Sequence, residues 1–412
     1  MHEFSNGIMF FYFLLIRIAA LFGHRKAQLI VAGQKEALSE QLAQYQGCIW
    51  FHAASVGEFE QARPVIERLR RERPEQQIVV TFFSPSGYEA RKSYPHADGI
   101  YYLPFATSRN AKLFLEALQP KMAIFVKYEF WPAYLRELKK RNIPTYSICA
   151  IFRPNQLFFL PWGKLHLKLL KCFTQIYVQD QASLVLLAKH GIANVCVAGD
   201  TRFDRMMELR AADTKDLTLV SHFAEGSQRV IVAGSTWPKD EVLFAQYMQS
   251  EPGAKLILVP HEIDPKHLHF IFRLFQGRIV RYSAVSGMKD EVSQRNILQQ
   301  ATILIVDTMG LLSSIYRFGQ VAYIGGGFGV GIHNTIEAAA YGMPVLFGPN
   351  YSHFREAQGL IDSGAARSIK NYSELESALT TALDQYETIG AKAAEYVQSE
   401  LGATEKIYKE MF

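Results

Sequence analysis

The chain has 412 residues, room for two or three domains at about 150 residues each. Its 49% hydrophobic and 20% charged residues exclude global disorder, collagen and low-complexity architectures. Four scattered cysteines, Cys48, Cys149, Cys172 and Cys196, form no C-x-x-C pair, which excludes a zinc knuckle, a dithiol motif and a disulfide framework. The net charge of +5 is unevenly spread: residues 1–210 carry 27 bases against 17 acids, and residues 211–412 carry 17 against 22. A basic first half fits an anionic partner such as a membrane surface, a nucleic acid or a phosphorylated substrate, although solvated lysines alone give the same count.

In chain order, the first signal is apolar. Ile8 to Ile16 form an unbroken run, Arg17 interrupts it, Ile18 to Phe22 continue it, and Arg25 and Lys26 close it. Fifteen helical residues reach about 22 Å, short of the ~30 Å hydrocarbon core, so residues 1–24 are expected as an in-plane or partly inserted membrane anchor. The rivals are a signal peptide, which would want a basic start that Met1 to Gly7 lacks, and a buried core helix.

Beyond Gly47, short apolar runs alternate with amphipathic stretches. Strands are predicted near 49–54, 77–84, 99–105, 122–129, 145–151, 175–179 and 195–198. Helices over 58–73, 108–118, 131–141 and 181–189 separate them. After the polar stretch Asp213 to Gln228 the pattern restarts, with strands near 229–234, 255–259, 278–282, 302–306, 321–325 and 344–347. The fold class is α/β: two tandem domains, each a mostly parallel sheet covered by helices. The boundaries expected are 25–212 and 213–390, with a hinge near 211–228. Residues 391–412 are expected to form a last helix packing back on the first domain. The segment Leu157 to Phe173 spaces Lys164, Lys168 and Lys171 as on a helix, either membrane-facing or a core helix with a solvated basic face.

Ligands of such folds bind beyond the carboxyl ends of the strands, so the strand ends carry the candidates. The first strand runs into HAASVGE, His52 to Glu58. Glu58 is either an acid complementing the helix dipole or a general base whose loop, with Ser55 and Gly57, admits a substrate. The fourth ends in KYEFWP, where Glu129 beside Phe130 and Trp131 needs a partner. GDTRFD offers Arg202 as a receptor for phosphate or carboxylate. In the second domain Gly234, Ser235 and Thr236 lead to a helix opened by Pro238, a phosphate cradle or a plain cap. Further turns follow at Pro260-His261 and at Met309-Gly310.

The most distinctive stretch is GGGFGVGIHNTIEAAAYGMPVLFGP, Gly325 to Pro349. It has the form of a phosphate or nucleotide loop, with Gly327 and Gly329 in the turn, and a helix expected from Asn334 to Gly342. Glu337 on its first turn could accept ribose hydroxyls or serve as a capping-box partner. His261, His267 and His269 lie close in sequence, but Pro265 breaks the segment and no H-E-x-x-H is present, so a metal site is disfavoured.

HAASVGE, the E-x-W-P form of Glu129 to Pro132, GDTRFD, VAGST and GGGFGVGIHNTIEAAAYGMPV occur in this order over nearly the whole chain. In this the sequence resembles the 3-deoxy-D-manno-octulosonic acid (Kdo) transferases of lipopolysaccharide core synthesis. The resemblance implies a GT-B glycosyltransferase with two Rossmann-like domains facing a cleft, CMP-Kdo as donor and a lipid A precursor, lipid IVA, as acceptor. It also implies the cytoplasmic face of the bacterial inner membrane as the location and no nucleic-acid partner. It makes Glu58 the general base and Glu129 and Arg202 transition-state stabilisers. It assigns CMP contacts to Pro260, His261, Met309, Gly310, Leu311, Asn334, Thr335, Ile336 and Glu337. Arg202 stands where Lys is usual, His261 where Arg is usual, and Leu311 where an acid is common.

Inverting transfer needs only one side-chain base, and CMP carries a single phosphate, so no metal or other cofactor is expected. The alternatives are another membrane-associated GT-B enzyme using a UDP-sugar, or a non-catalytic membrane-anchored binding protein on this fold. A nicotinamide oxidoreductase is disfavoured because the glycine-rich loop lies late in the chain.

Overall fold

The computed structural model describes residues 13–160 and 163–412. They divide into two compact units, the described residues up to Asp204 with Leu401–Phe412, and Arg205–Glu400.

The strands of the first unit are β1 (Ile49–Ala53), β2 (Ile78–Phe82), β3 (Gly99–Tyr102), β4 (Met122–Val126), β5 (Thr145–Ala150), β6 (Gln175–Val178) and β7 (Val195–Val197). They form one sheet in the order β3-β2-β1-β4-β5-β6-β7, every neighbouring pair parallel. Runs such as Ile78-Val79-Val80-Thr81-Phe82 are wholly buried, because a parallel sheet is covered by crossover helices on both faces. The helix Val56–Glu72 turns Phe59, Ala62, Val65, Ile66 and Leu69 toward one face of the sheet. Against that helix packs the terminal helix Ala403–Met411, which adds Ile407, Tyr408 and Met411 to the same core. Both carboxylate oxygens of Asp204 accept from its first turn, Gly402 N and Thr404 N, each at 2.7 Å.

The second unit contains β8 (Val230–Thr236), β9 (Lys255–Pro260), β10 (Ile279–Arg281), β11 (Ile303–Ile305), β12 (Val321–Ile324), β13 (Val345–Phe347) and β14 (Ala366–Ser368). Their order is β10-β11-β9-β8-β12-β13-β14, again all parallel. In each sheet the strand order reverses once, between β1 and β4 and between β8 and β12, and such switch points are where open α/β sheets bind ligands.

Several expectations need correction. The boundary between the units falls between Asp204 and Arg205, inside the helix Thr201–Ala211, and not after residue 212. The stretch read as a hinge is tied into the second unit: Asp213 accepts from Ser314, Arg317 and Tyr341. The last helix is two, Tyr386–Ser399 and Ala403–Met411, parted where Gly402 takes φ +101°. The helix expected over 334–342 is only Ile336–Ala339, because the glycine-rich loop stays irregular until Thr335. Of residues 157–173, those described form a short 3₁₀ turn, Leu157–Phe159, which ends at an extended Leu160, and a helix, Lys164–Leu170.

The expected anchor falls partly on residues 1–12, outside the described residues. Residues 13–21 are helical. Phe13 is buried, stacked on Phe105, while Leu15, Leu21 and Phe22 are exposed. Among the described residues no helix is long and apolar enough to cross a membrane.

Candidate active site

In the first unit the switch point brings two carboxylates to neighbouring strand ends. Glu58 stands in the first turn of the helix Val56–Glu72, directly after β1, where the backbone partial charge favours an anion. Ser55, at the N-cap, donates its hydroxyl to Glu58 Oε2, and its oxygen accepts from no backbone amide of the helix. Gly57 lies in that first turn, not in a loop, and a Cβ there would meet nothing closer than 3.8 Å, so the surface beside Glu58 is open.

Glu129 follows β4, the strand hydrogen-bonded to β1. Its Oε2 accepts from Trp131 Nε1 at 2.8 Å, and the same N–H reaches His52 Nε2 at 2.9 Å. The sequence asked for a partner for this carboxylate, and the indole N–H of Trp131 supplies it.

Arg202 follows β7, at the far edge of the sheet, yet its turn folds back toward the Glu58 helix. Asp200, fully buried, accepts from Arg202 Nε at 2.9 Å and Nη2 at 2.7 Å, and from Gln61 Nε2 at 3.0 Å. Thr201 donates to Gln61 O at 2.6 Å. Burial alone would raise the Asp200 carboxyl, but the Arg202 charge and its hydrogen bonds outweigh it and hold the group below the usual range. The guanidinium is therefore oriented by a buried carboxylate as a planar fork.

In the second unit the CMP candidates also end strands. Pro260 closes β9 and His261 follows it, Met309 to Leu311 follow β11, and Asn334 to Glu337 follow the loop after β12. Asn334 Oδ1 accepts from Ile336 N at 3.1 Å and its Nδ2 donates to Glu337 Oε1 at 3.0 Å. Burial pushes Glu337 above the usual carboxylate range, opposed by Asn334 and by Lys215. Lys215 Nζ also donates to Gly310 O at 2.6 Å, so one lysine links the turn after β11 with Glu337. Thr335 is buried and its hydroxyl has no partner, a polar atom free to meet a ligand. Met309 is exposed.

The phosphate candidates separate into two kinds. Gly234, Ser235 and Thr236 belong to β8 itself and not to a loop. A Cβ on Gly234 would strike the Tyr316 hydroxyl and come 2.8 Å from Leu312, so its smallness serves packing, and Thr236 gives its hydroxyl to Glu241 at 3.0 Å. Gly327 passes the backbone of Gly348 so closely that a Cβ would lie 2.6 Å from Gly348 Cα, whereas at Gly329 the nearest atom would be 3.9 Å away.

Reading the sequence did not single out His52 as a partner of Glu129, nor Asp200, Gln61, Lys215, Asp240, Trp237 or His333. Asp240 is buried and accepts from Tyr323 at 2.6 Å, from Trp237 N at 2.9 Å and from Gly326 N at 3.0 Å, pinning the glycine loop to the start of the helix Pro238–Ser250. Burial raises its carboxyl against these three bonds. His261 stacks between Trp237 and His333, at 4.8 and 4.4 Å. Only the acidity of Asp240 and the aromatic character of Trp237 are visible in the sequence; Tyr323 and Gly326, which meet Asp240, and His333, which meets Trp237, lie 83 to 96 residues away.

Among the described residues, one cluster could offer three metal ligands, Glu262, Asp264 and His267. Two of its members are already engaged: Asp264 caps the helix Pro265–Leu274, and His267 meets the buried Glu241 at 2.9 Å.

Two parallel sheets of this topology, each with polar residues gathered at its switch point, define a GT-B glycosyltransferase fold. The same fold appears in the UDP-GlcNAc 2-epimerase from Neisseria meningitidis bound to UDP-GlcNAc (TM-score 0.61, 14% identity, 88% of this chain and 98% of that one). It appears also in a glycosyltransferase from Rickettsia africae (TM-score 0.57, 13% identity, 89% and 98%). Residues 26–205 match the family model of 3-deoxy-D-manno-octulosonic-acid transferase (kdotransferase). The 3-deoxy-D-manno-octulosonic acid transferase of Aquifex aeolicus is 28% identical over 352 residues, 84% of this chain and 88% of that protein. The chain is thus similar to the 3-deoxy-D-manno-octulosonic acid transferases, enzymes of the glycosyltransferase class, over most of its length.

Proposed function

We propose that the protein transfers Kdo from CMP-Kdo, with inversion, to the 6′-hydroxyl of a lipid A precursor, lipid IVA, in lipopolysaccharide core synthesis. The observation that carries this reading is the placing of Glu58 and Glu129 at adjacent strand ends of the switch point, in a chain whose residues 26–205 match this family's model. The acceptor hydroxyl attacks the anomeric carbon of the donor as its proton passes to Glu58. The bond from that carbon to the phosphate oxygen breaks, and CMP leaves with the electron pair. Glu129 and Arg202 act on the charge that develops in the transition state. The second unit holds CMP: Glu337 accepts ribose hydroxyls, while Thr335, His261 and the turn Met309 to Leu311 line the nucleotide.

Turnover is proposed to need no metal. The enzyme works at the cytoplasmic face of the inner membrane, where Leu15, Leu21 and Phe22 offer exposed apolar side chains and Lys168 and Lys171 exposed charge.

The test is product mass spectrometry with CMP-Kdo generated in situ and a tetra-acylated lipid A precursor, alongside Glu58→Gln. Product from the wild type and none from the variant is expected. A folded wild type that neither turns over nor binds CMP overturns the reading. Inhibition by UDP and not by CMP would favour a UDP-sugar donor instead.

A further inference from the structure

His52 is a fully buried imidazole in the middle of a parallel sheet, a position that costs stability unless both ring nitrogens are bonded. Both are. Nδ1 lies 3.1 Å from the Thr81 carbonyl oxygen and 2.9 Å from Thr81 Oγ1 on β2. A carbonyl can only accept, so Nδ1 carries the hydrogen. Nε2 then presents its lone pair and accepts the Trp131 indole N–H at 2.9 Å. The same hydrogen is shared with Glu129 Oε2 at 2.8 Å, and Oε2 and Nε2 are 3.4 Å apart. Two acceptors this close are held together by the single proton between them. Thr81 is anchored in turn, since its hydroxyl accepts from Trp50 Nε1 at 2.8 Å.

We propose that His52 is a positioning residue for Glu129, acting through the shared indole N–H of Trp131. The proposal rests on the role given to Glu129 above. Glu129 sits on an irregular turn between β4 and the helix opened by Pro132, where the backbone alone leaves its side chain several rotamers. The hydrogen-bonded line Trp50–Thr81–His52–Trp131 crosses the buried strands β1 and β2 and ends on that carboxylate, fixing one oxygen against the rigid sheet. A carboxylate that acts on charge at the donor carbon is effective only at a fixed distance, and a displacement of about 1 Å can cost about a hundredfold in rate.

The experiment uses the full chain and compares His52→Leu, His52→Gln, Trp131→Phe, Glu129→Gln and the double variant His52→Leu with Glu129→Gln. Turnover, donor KM, CMP affinity and thermal unfolding are measured for each. His52→Leu and Trp131→Phe are expected to lower kcat about 10- to 100-fold, with donor KM and CMP affinity within about twofold of wild type. His52→Gln, whose amide oxygen can take the place of Nε2 as acceptor, restores part of the loss. The double variant is no slower than Glu129→Gln alone, because a residue acting only through Glu129 has nothing left to position. Full kcat in His52→Leu, or losses that multiply in the double variant, would overturn the proposal. If His52→Leu does not fold, Trp131→Phe decides, since it keeps an aromatic ring there and removes the shared N–H. Full turnover in Glu129→Gln would instead remove the functional reading beneath it.

Discussion

Gln61 Nε2 donates to Asp200 Oδ1 at 3.0 Å, and this bond joins the helix Val56–Glu72, which carries Glu58, to the start of the helix Thr201–Ala211, which carries Arg202. The two residues are 139 positions apart, both fully buried. Asp200→Asn leaves an amide facing the Arg202 guanidinium. A broken buried pair costs about 3–5 kcal/mol, but Arg202 keeps solvent contact, so about 2 kcal/mol is expected here. Gln61→Leu removes one hydrogen bond to a charge and costs about 1.5 kcal/mol. Urea unfolding measures both. Turnover should fall further in Asp200→Asn, since Arg202 loses its fork-shaped seat.

The Asp200 pair also sets a pH dependence. Burial pushes this carboxyl up, the Arg202 charge pulls it down, and the balance lies below the ordinary value. A depressed folded pKa means that the stabilisation is complete above the unfolded value of about 3.9 and is lost as pH falls through the folded value. The stability difference between wild type and Asp200→Asn should therefore stay flat through neutral pH and shrink only below about pH 4.

Glu337 carries the opposite sign. Its pKa is raised by burial, so it takes up a proton above the ordinary carboxylate range of about 4.3. An ionised Glu337 accepting ribose hydroxyls predicts that CMP affinity declines as pH falls through that raised value. Lys215 acts to lower it, so Lys215→Ala should move the decline to higher pH, and Glu337→Gln should flatten it. Calorimetric titration with CMP between about pH 5 and pH 8 distinguishes the three curves.

The terminal helix is structural to the first unit. Ile407 is fully buried among residues of β1, β2 and the Glu58 helix, so Ile407→Ala should cost about 2–5 kcal/mol by leaving a cavity. Chemical denaturation reads this directly.

The strands were legible because each is a short apolar run bounded by turn residues, and thirteen of the fourteen lie where the hydrophobic pattern puts them. The missed strand, Ala366–Ser368, has one apolar residue in three and sits at the sheet edge, where no pattern marks it. The carboxylates Glu58 and Glu129 were legible because a strand end dictates where a following residue goes. Asp200 and His52 were not read as partners, since the residues they meet are brought near only by the sheet order. The hinge was misread because Asp213 to Gln228 is polar like a linker, and nothing local announces that Asp213 will hold Ser314, Arg317 and Tyr341.

The glycine-rich loop gives a graded test of its own geometry. At Gly327 a Cβ would meet the backbone of Gly348 at 2.6 Å, and at Gly325 it would press on the backbone of Ser235 and Thr236, neither of which can move without disturbing β8 or the turn after β13. At Gly329 the same atom would find 3.9 Å of clearance. Gly325→Ala and Gly327→Ala should each lose about 1–3 kcal/mol of stability through overpacking, and CMP affinity with it. Gly329→Ala should leave stability within about 0.5 kcal/mol, as an uncrowded substitution does. Thermal unfolding of the three variants with and without CMP separates the effects. A loss at Gly329 as large as at Gly327 would mean that the loop's conformational freedom, and not its close passage beside Gly348, is what the second unit requires.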